Sequence, residues 1–132
     1  MKLRKNVKKP TLKKGETYVG ITLHNDKPHH LILLPNVEED KTHAEATAWA
    51  KKQGGVLPSR IDMIVLFEKA KVKSHTYDWY WTNEKVASKA YYAWVAGFGY
   101  GYQIWYRKNN DSRCRAVRRV AIPDAPKEYP GE

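Results

Sequence analysis

The sequence predicts an α+β domain, and three observations carry that expectation. Two N-cap patterns, at Thr42 and Ser59, open amphipathic segments in the first half of the chain. Runs rich in β-formers flank those segments on both sides. The resulting order, β-β-α-α-β-β-β, puts both helices between two sets of strands rather than alternating them as a wound parallel sheet requires. Eleven of the fourteen Trp and Tyr residues also crowd into one thirty-residue stretch, Tyr77 to Tyr106. A core does not easily absorb so many rings with polar tips, so part of the stretch is expected to face outward as a recognition surface.

Thr17 to Leu23 and His29 to Leu34 are β-rich, and Asn25-Asp26-Lys27-Pro28 between them is turn chemistry, which predicts an N-terminal hairpin whose second strand ends at Pro35. Thr42 and Glu45 make a T-x-x-E capping box, Ala46, Trp49 and Ala50 follow at helical spacing, and Gly54-Gly55 supplies a stop, so a helix is expected over 42–53. Ser59, with Asp62 three residues on, caps a second helix whose broad apolar face comprises Ile61, Met63, Ile64, Leu66, Phe67 and Ala70 and runs to about residue 72. Each helix is expected to cover a sheet. Tyr91 to Phe98, Tyr102 to Lys108 and Arg113 to Ile122 then read as three strands of an antiparallel meander. Gly99-Tyr100-Gly101 and Asn109-Asn110-Asp111 are its turns.

Charge and length bound the organisation. The chain has 132 residues and a net charge of +10, and seven of those positive charges come from residues 1–14, which contain no acid. A basic disordered tail over 1–15, a folded domain over 16–122 and a Pro-rich tail over 123–132 are expected. The polybasic tail is read as a solubilising or flexible accessory that would strengthen any salt-sensitive contact with a polyanion. No signal peptide and no apolar run long enough to span a bilayer is visible, so no membrane insertion is expected. The single cysteine, Cys114, leaves no internal disulfide and suits a reducing compartment.

Gly54-Gly55-Val56-Leu57-Pro58-Ser59-Arg60, Trp79-Tyr80-Trp81-Thr82-Asn83-Glu84, Tyr92-Ala93-Trp94-Val95 through Phe98 to Gly101, and Arg115-Ala116-Val117-Arg118-Arg119 form a spaced series over about residues 54–120. The series resembles the "G-x-LPT … YW[ST]S-E … AW-x-V-x-F-x-x-G … VRCVR" pattern of the C-type-lectin-like domain family named for the C-terminal domain of a bacterial collagen-like adhesin. The resemblance implies a C-type-lectin-like fold with two helices packed on antiparallel strands. It also implies distant kinship with formylglycine-generating enzymes and retroelement-diversified variable proteins, and, as is usual for the family where function is known or supposed, ligand display on a stable scaffold. Short members are frequent in phage and prophage genomes, which implies action in a virion or the host cytoplasm. The family's cysteine position is Ala116 here, so no disulfide carries over. Because Trp79, Trp81, Trp94 and Phe98 fall within the pattern, the resemblance implies that they pack the core.

No catalytic constellation is visible. Formylglycine-generating enzymes use paired cysteines, and Cys114 lies between two arginines inside an expected strand, where a packed thiol is the ordinary case. His24, His29, His30, His43 and His75 are scattered, and the adjacent pair His29 and His30 points to opposite faces of a strand. Neither a metal nor another cofactor is expected. The candidate ligand-binding residues are Tyr100, Tyr102, Gln103, Trp105, Tyr106, Arg107, Lys108, Asn109 and Asn110, where rigid rings, cations and adaptable amides mix as in a paratope. Alternation puts Tyr102, Ile104 and Tyr106 on one side of that strand and Gln103, Trp105 and Arg107 on the other. An ordinary half-buried hairpin fits the same residues. Arg113, Arg115, Arg118 and Arg119 are expected to pair with carboxylates or backbone carbonyls. The sequence thus points to a non-enzymatic binding module for a protein or glycan. The alternative is a nucleic-acid-associated protein using the basic tail and the C-terminal arginines.

Overall fold

The computed structural model describes residues 8–70, 79–99 and 101–123. Strand β1, Thr17–His24, turns through Asn25 and Asp26 into β2, Lys27–Lys41. Both turn residues have positive φ, 52° and 62°, the conformation a two-residue hairpin needs to match strand twist. Pro28 lies in the strand, opposite Leu23, rather than in the turn. Pro35 does not end β2, contrary to expectation. Pairing with the last strand jumps from Leu33 to Val37, so Pro35 sits in a bulge, where a missing N–H removes no ladder bond.

Helix α1, His43–Lys52, begins at a complete capping box in which Thr42 accepts from the Glu45 N–H and Glu45 accepts from the Thr42 N–H. Helix α2, Arg60–Val65, starts the same way at Ser59 and Asp62, then widens into a π-helical turn over Leu66–Ala70. The broad apolar face expected here is narrower. Met63 and Leu66 are buried, but Ile61 and Ile64 are 45% and 59% exposed, because α2 is short and the π-turn rotates the following side chains off a 3.6-residue stripe. The expected end near residue 72 lies outside the described residues.

Four strands follow: β3, Trp79–Val86; β4, Lys89–Gly97; β5, Gln103–Arg107; and β6, Ser112–Ala121. No strand was expected at β3. The meander is also corrected, because β6 does not pair with β5. It crosses to lie antiparallel to β2 and meets β3 in parallel at Tyr80 and Arg113, giving one six-stranded sheet in the order β1-β2-β6-β3-β4-β5. Burial explains the exchange. Cys114 and Ala116 on one face and Val117 on the other are fully buried, which suits a central strand, whereas Ile104, Trp105 and Arg107 leave β5 exposed at the edge. The molecule is therefore a mixed α+β domain with one parallel junction among its antiparallel pairs.

The core has two halves, one on each face of the sheet. Met63 and Leu66 pack with Leu31, Leu33, Tyr80, Ala96, Phe98 and Val117. Ala46 and Ala50 of α1 pack with Leu34, Trp81, Ala93, Val95, Cys114 and Ala116 on the other face. Between the helices, Val56 and Val117 exchange both backbone hydrogen bonds at 2.9 Å. A side chain at Gly55 would run into the Val117 carbonyl oxygen, so the close approach depends on glycine.

Thr11 and Glu16, which precede β1, are held by β6. Arg118 donates to the Thr11 carbonyl at 3.1 Å and to both carboxylate oxygens of Glu16 at 2.8 and 2.9 Å. Residues 1–7 and 124–132 of the two expected tails lie outside the described residues. Among the described residues no helix is long and apolar enough to cross a membrane.

Candidate functional site

Alternation along β4 places Tyr92, Trp94 and Ala96 on one face, and the register sets them directly opposite Arg107, Trp105 and Gln103 of β5. At the Ala96 end this face is covered by Met63 and Leu66. Beyond that, α2 reaches this face only through its first residue, Arg60, and the remaining rungs form a partly exposed ladder of aromatic and cationic side chains. Trp94 and Trp105 meet edge to face with centroids 6.1 Å apart, and Tyr92 lies 6.4 Å from Trp105. Cations border the rings. The Arg107 guanidinium lies 5.6 Å from the Tyr92 centroid and the Lys89 ammonium 5.9 Å from that of Trp105.

Arg60 is the most closely held of these cations. Its guanidinium stacks 3.6 Å from the centroid of Trp94. Its Nε donates to Gln103 Oε1 at 2.8 Å, and Gln103 Nε2 donates back to the Arg60 carbonyl at 2.9 Å. The Arg60 backbone N–H donates to Glu84 at 2.7 Å. Helix start, sheet edge and β3 thus converge on one residue.

Of the residues expected to bind ligand, the structure brings Gln103, Trp105 and Arg107 together on the ladder. Tyr106 points to the opposite face, where it packs against the α1 half of the core with its ring 5.6 Å from that of Trp81. Tyr102 is 63% exposed on that same opposite side. Lys108 turns back, its ammonium donating to the Ala90 carbonyl at 2.6 Å, and Asn109 and Asn110 are exposed in the following turn. Tyr100 lies outside the described residues. Sequence reasoning missed Tyr92, Lys89 and Arg60, and it grouped Trp94 with the core. Trp81 and Phe98 are buried and Trp79 packs against the core, but Trp94 is half-buried on the ladder. The available signal was the Gly99 to Gly101 turn, whose hairpin register sets Trp94 against Trp105.

The four late arginines are engaged within the domain. Arg113 pairs with Glu39, Arg115 donates to the Leu34 carbonyl at 3.1 Å, Arg118 pairs with Glu16, and Arg119 lies 3.4 Å from the fully buried Asp62. Cys114 is buried in β6, and burial pushes its thiol up to about 12, far from the thiolate a nucleophile needs. His30 is buried against the Tyr18 hydroxyl at 2.8 Å, while His29 bonds the Lys27 carbonyl at 2.9 Å. His75 lies outside the described residues. His43 is buried beneath α1, where it donates to the Thr82 carbonyl at 2.9 Å.

Beside His43 an open groove of about 730 Å³ is bordered by Lys51, Lys85, Lys108, Asn83 and Asn109. It lies on the opposite side of the sheet from the ladder and draws lysines from α1, β3 and the β5–β6 turn. No known protein-family model matches the chain, and no curated protein sequence matches it significantly.

Proposed function

We propose that this chain is a non-enzymatic binding module of C-type-lectin-like architecture that presents the β4–β5 face to a protein or glycan partner. The observation that carries the reading is the Trp94–Trp105 pair, half covered and flanked by Arg60, Lys89 and Arg107. Rigid rings supply contact area at low entropic cost, and cations at their rim supply orientation. The architecture is supported by β2 and β6, which come from opposite ends of the domain yet pair along most of their length. The buried, proton-holding Cys114 supports a non-enzymatic role, because it offers no ready nucleophile. The resemblance to short phage and prophage members supports a virion or host-cytoplasmic setting.

The test is a parallel screen of the full chain against a glycan array and a random-peptide display library. Its comparison protein is a Trp105→Ala, Arg107→Ala double variant whose fold is checked by circular dichroism. Ligands held by the wild type and lost by the double variant are the expected result. A ligand set that the double variant retains in full removes the proposal.

Polyanion contact is a second reading, favoured by the three lysines around the groove. The C-terminal arginines assigned to it are occupied by internal partners, so it rests on the lysines and the basic tail. Deleting residues 1–14 and replacing Lys51, Lys85 and Lys108 with Ala should then abolish oligonucleotide binding and flatten its salt dependence. Unchanged binding would rule that reading out.

A further inference from the structure

The sheet ends at β5, so among the described residues its outer edge has no neighbour. Antiparallel pairing dictates what that edge offers. The Gly97 N–H donates to the Tyr102 carbonyl and the Lys108 N–H to the Tyr91 carbonyl. By alternation, Gln103, Trp105 and Arg107 turn their backbone groups outward. The Arg107 carbonyl is taken by the Asn110 N–H at 3.0 Å, which leaves both groups of Gln103 and Trp105 and the N–H of Arg107. These are the same three residues whose side chains stand on the ladder. A chain pairing with the edge therefore lays alternate side chains beside Gln103 with Arg60, then Trp105, then Arg107.

Charge decides what those side chains are. Stacking on Trp94 and the Nε bond to Gln103 hold the Arg60 guanidinium in place, and among the described residues no acceptor meets its Nη1 or Nη2. Such a held fork matches the two oxygens of a carboxylate. Arg107 and Lys89 put positive charge at the other end of the ladder. The neighbouring carboxylate, Glu84, already accepts from the Arg60 backbone.

Resting on the ladder reading above, we propose that the ligand is an extended acidic peptide segment of a partner protein, added as a strand to the edge of β5. Its pattern is acid-x-apolar-x-acid. One carboxylate forks onto Arg60, the apolar residue covers Trp105 and the second carboxylate meets Arg107, the two acids being roughly 13 Å apart at the rise of a β-strand.

The test titrates isotopically labelled full chain with the peptide Thr-Glu-Thr-Ile-Thr-Glu-Thr. Its controls are the same peptide with Lys for Glu and the same peptide N-methylated on the amides that would face the edge. Amide shifts of residues 103–107 report the site. The acidic peptide is expected to bind at least about tenfold more tightly than the lysine peptide, and Arg60→Lys to weaken it by about tenfold because the fork is lost. Gln103→Ala, which frees the guanidinium, should weaken it as well. Equal affinity for both charge types, full binding by the N-methylated peptide, or no saturable binding overturns the proposal. A glycan or neutral peptide that binds and is lost in the Trp105→Ala, Arg107→Ala variant overturns it too, while leaving the ladder reading intact.

Discussion

Trp94 and Trp105 stand directly opposite each other across β4 and β5, with ring planes inclined at 80°. Trp81 lies on the other face of the sheet, fully buried between α1 and Tyr106, with its Nε1 donating to the Lys41 carbonyl at 2.8 Å. The crowded aromatic stretch therefore divides by face, and the division is measurable as stability. Trp105→Ala should cost about 1–2 kcal/mol, because Trp105 is 45% exposed and loses only partial burial with its contacts to Trp94 and Tyr92. Trp81→Ala should cost about 3–5 kcal/mol through the cavity and the stranded carbonyl. Denaturant unfolding of the two variants decides the point, and equal losses would contradict it.

Much of this frame was legible because its signals are local. Asn25-Asp26, Thr42 with Glu45, and the Gly99 to Gly101 turn act within a few residues, so the first hairpin, α1 and the β4–β5 hairpin could be read directly. β3 was not legible, since Thr82-Asn83-Glu84-Lys85 reads as a polar loop and its pairing with the adjacent β4 is interrupted between Trp81 and Lys85. β6 hid its central position behind four arginines whose carboxylate or carbonyl partners come from other elements. Arg60 resembled an ordinary first-turn residue, because the glutamine that clamps it lies 43 positions later. Local chemistry writes hairpins and caps, while long-range pairing chooses the centre of the sheet and builds the ladder.

Gly55 tests the packing of the link between the helices. Adding a methyl group there meets the Val117 carbonyl oxygen and, at 2.8 Å, the Leu34 side chain. Backbone must shift to relieve it, so Gly55→Ala should destabilise by about 1–3 kcal/mol. Gly54 has open space around its Cβ position but a φ of +86°. Gly54→Ala should therefore cost only about 1 kcal/mol, from backbone strain alone. Thermal unfolding of both variants gives the comparison.

Asp62 gathers buried polar partners from three elements. It accepts from the Thr22 hydroxyl at 2.6 Å and the Ser59 N–H at 2.9 Å, and Arg119 lies 3.4 Å away with its side chain 9% exposed. Asp62→Ala strands that guanidinium as well as both donors and should cost about 3–5 kcal/mol. A second substitution, Arg119→Met, should recover part of the loss by removing the unpaired charge. No recovery in urea unfolding would show that the pair is not coupled.

His43 makes stability fall on mild acidification. Burial, reinforced by the charges of Lys108 and Lys85 and opposed by the hydrogen bond to Thr82, holds its imidazole below the ordinary value of 6.5. The unfolded chain then takes up a proton more readily than the folded one, so stability declines as pH drops below about 6.5. Burial lowers His24 and His30 in the same direction. His43→Gln should thus reduce the slope of melting temperature against pH between 7 and 5 without abolishing it.

Glu16 acts in a lower window. The Arg118 hydrogen bonds, followed by the Lys13 N–H, hold its carboxyl down to about 2 against an ordinary 4.5. A depressed carboxyl contributes stability that is complete above the unfolded value and lost as pH falls through the folded one, so the contribution disappears between about 4.5 and 2. Solvent screening keeps it within about 1 kcal/mol. Glu16→Gln should lower stability slightly at neutral pH and leave the variant less acid-sensitive than the wild type below 4.5. Parallel melting curves for the two proteins in this acid window would contradict the assignment, because the Arg118 pair would then contribute nothing to the fold.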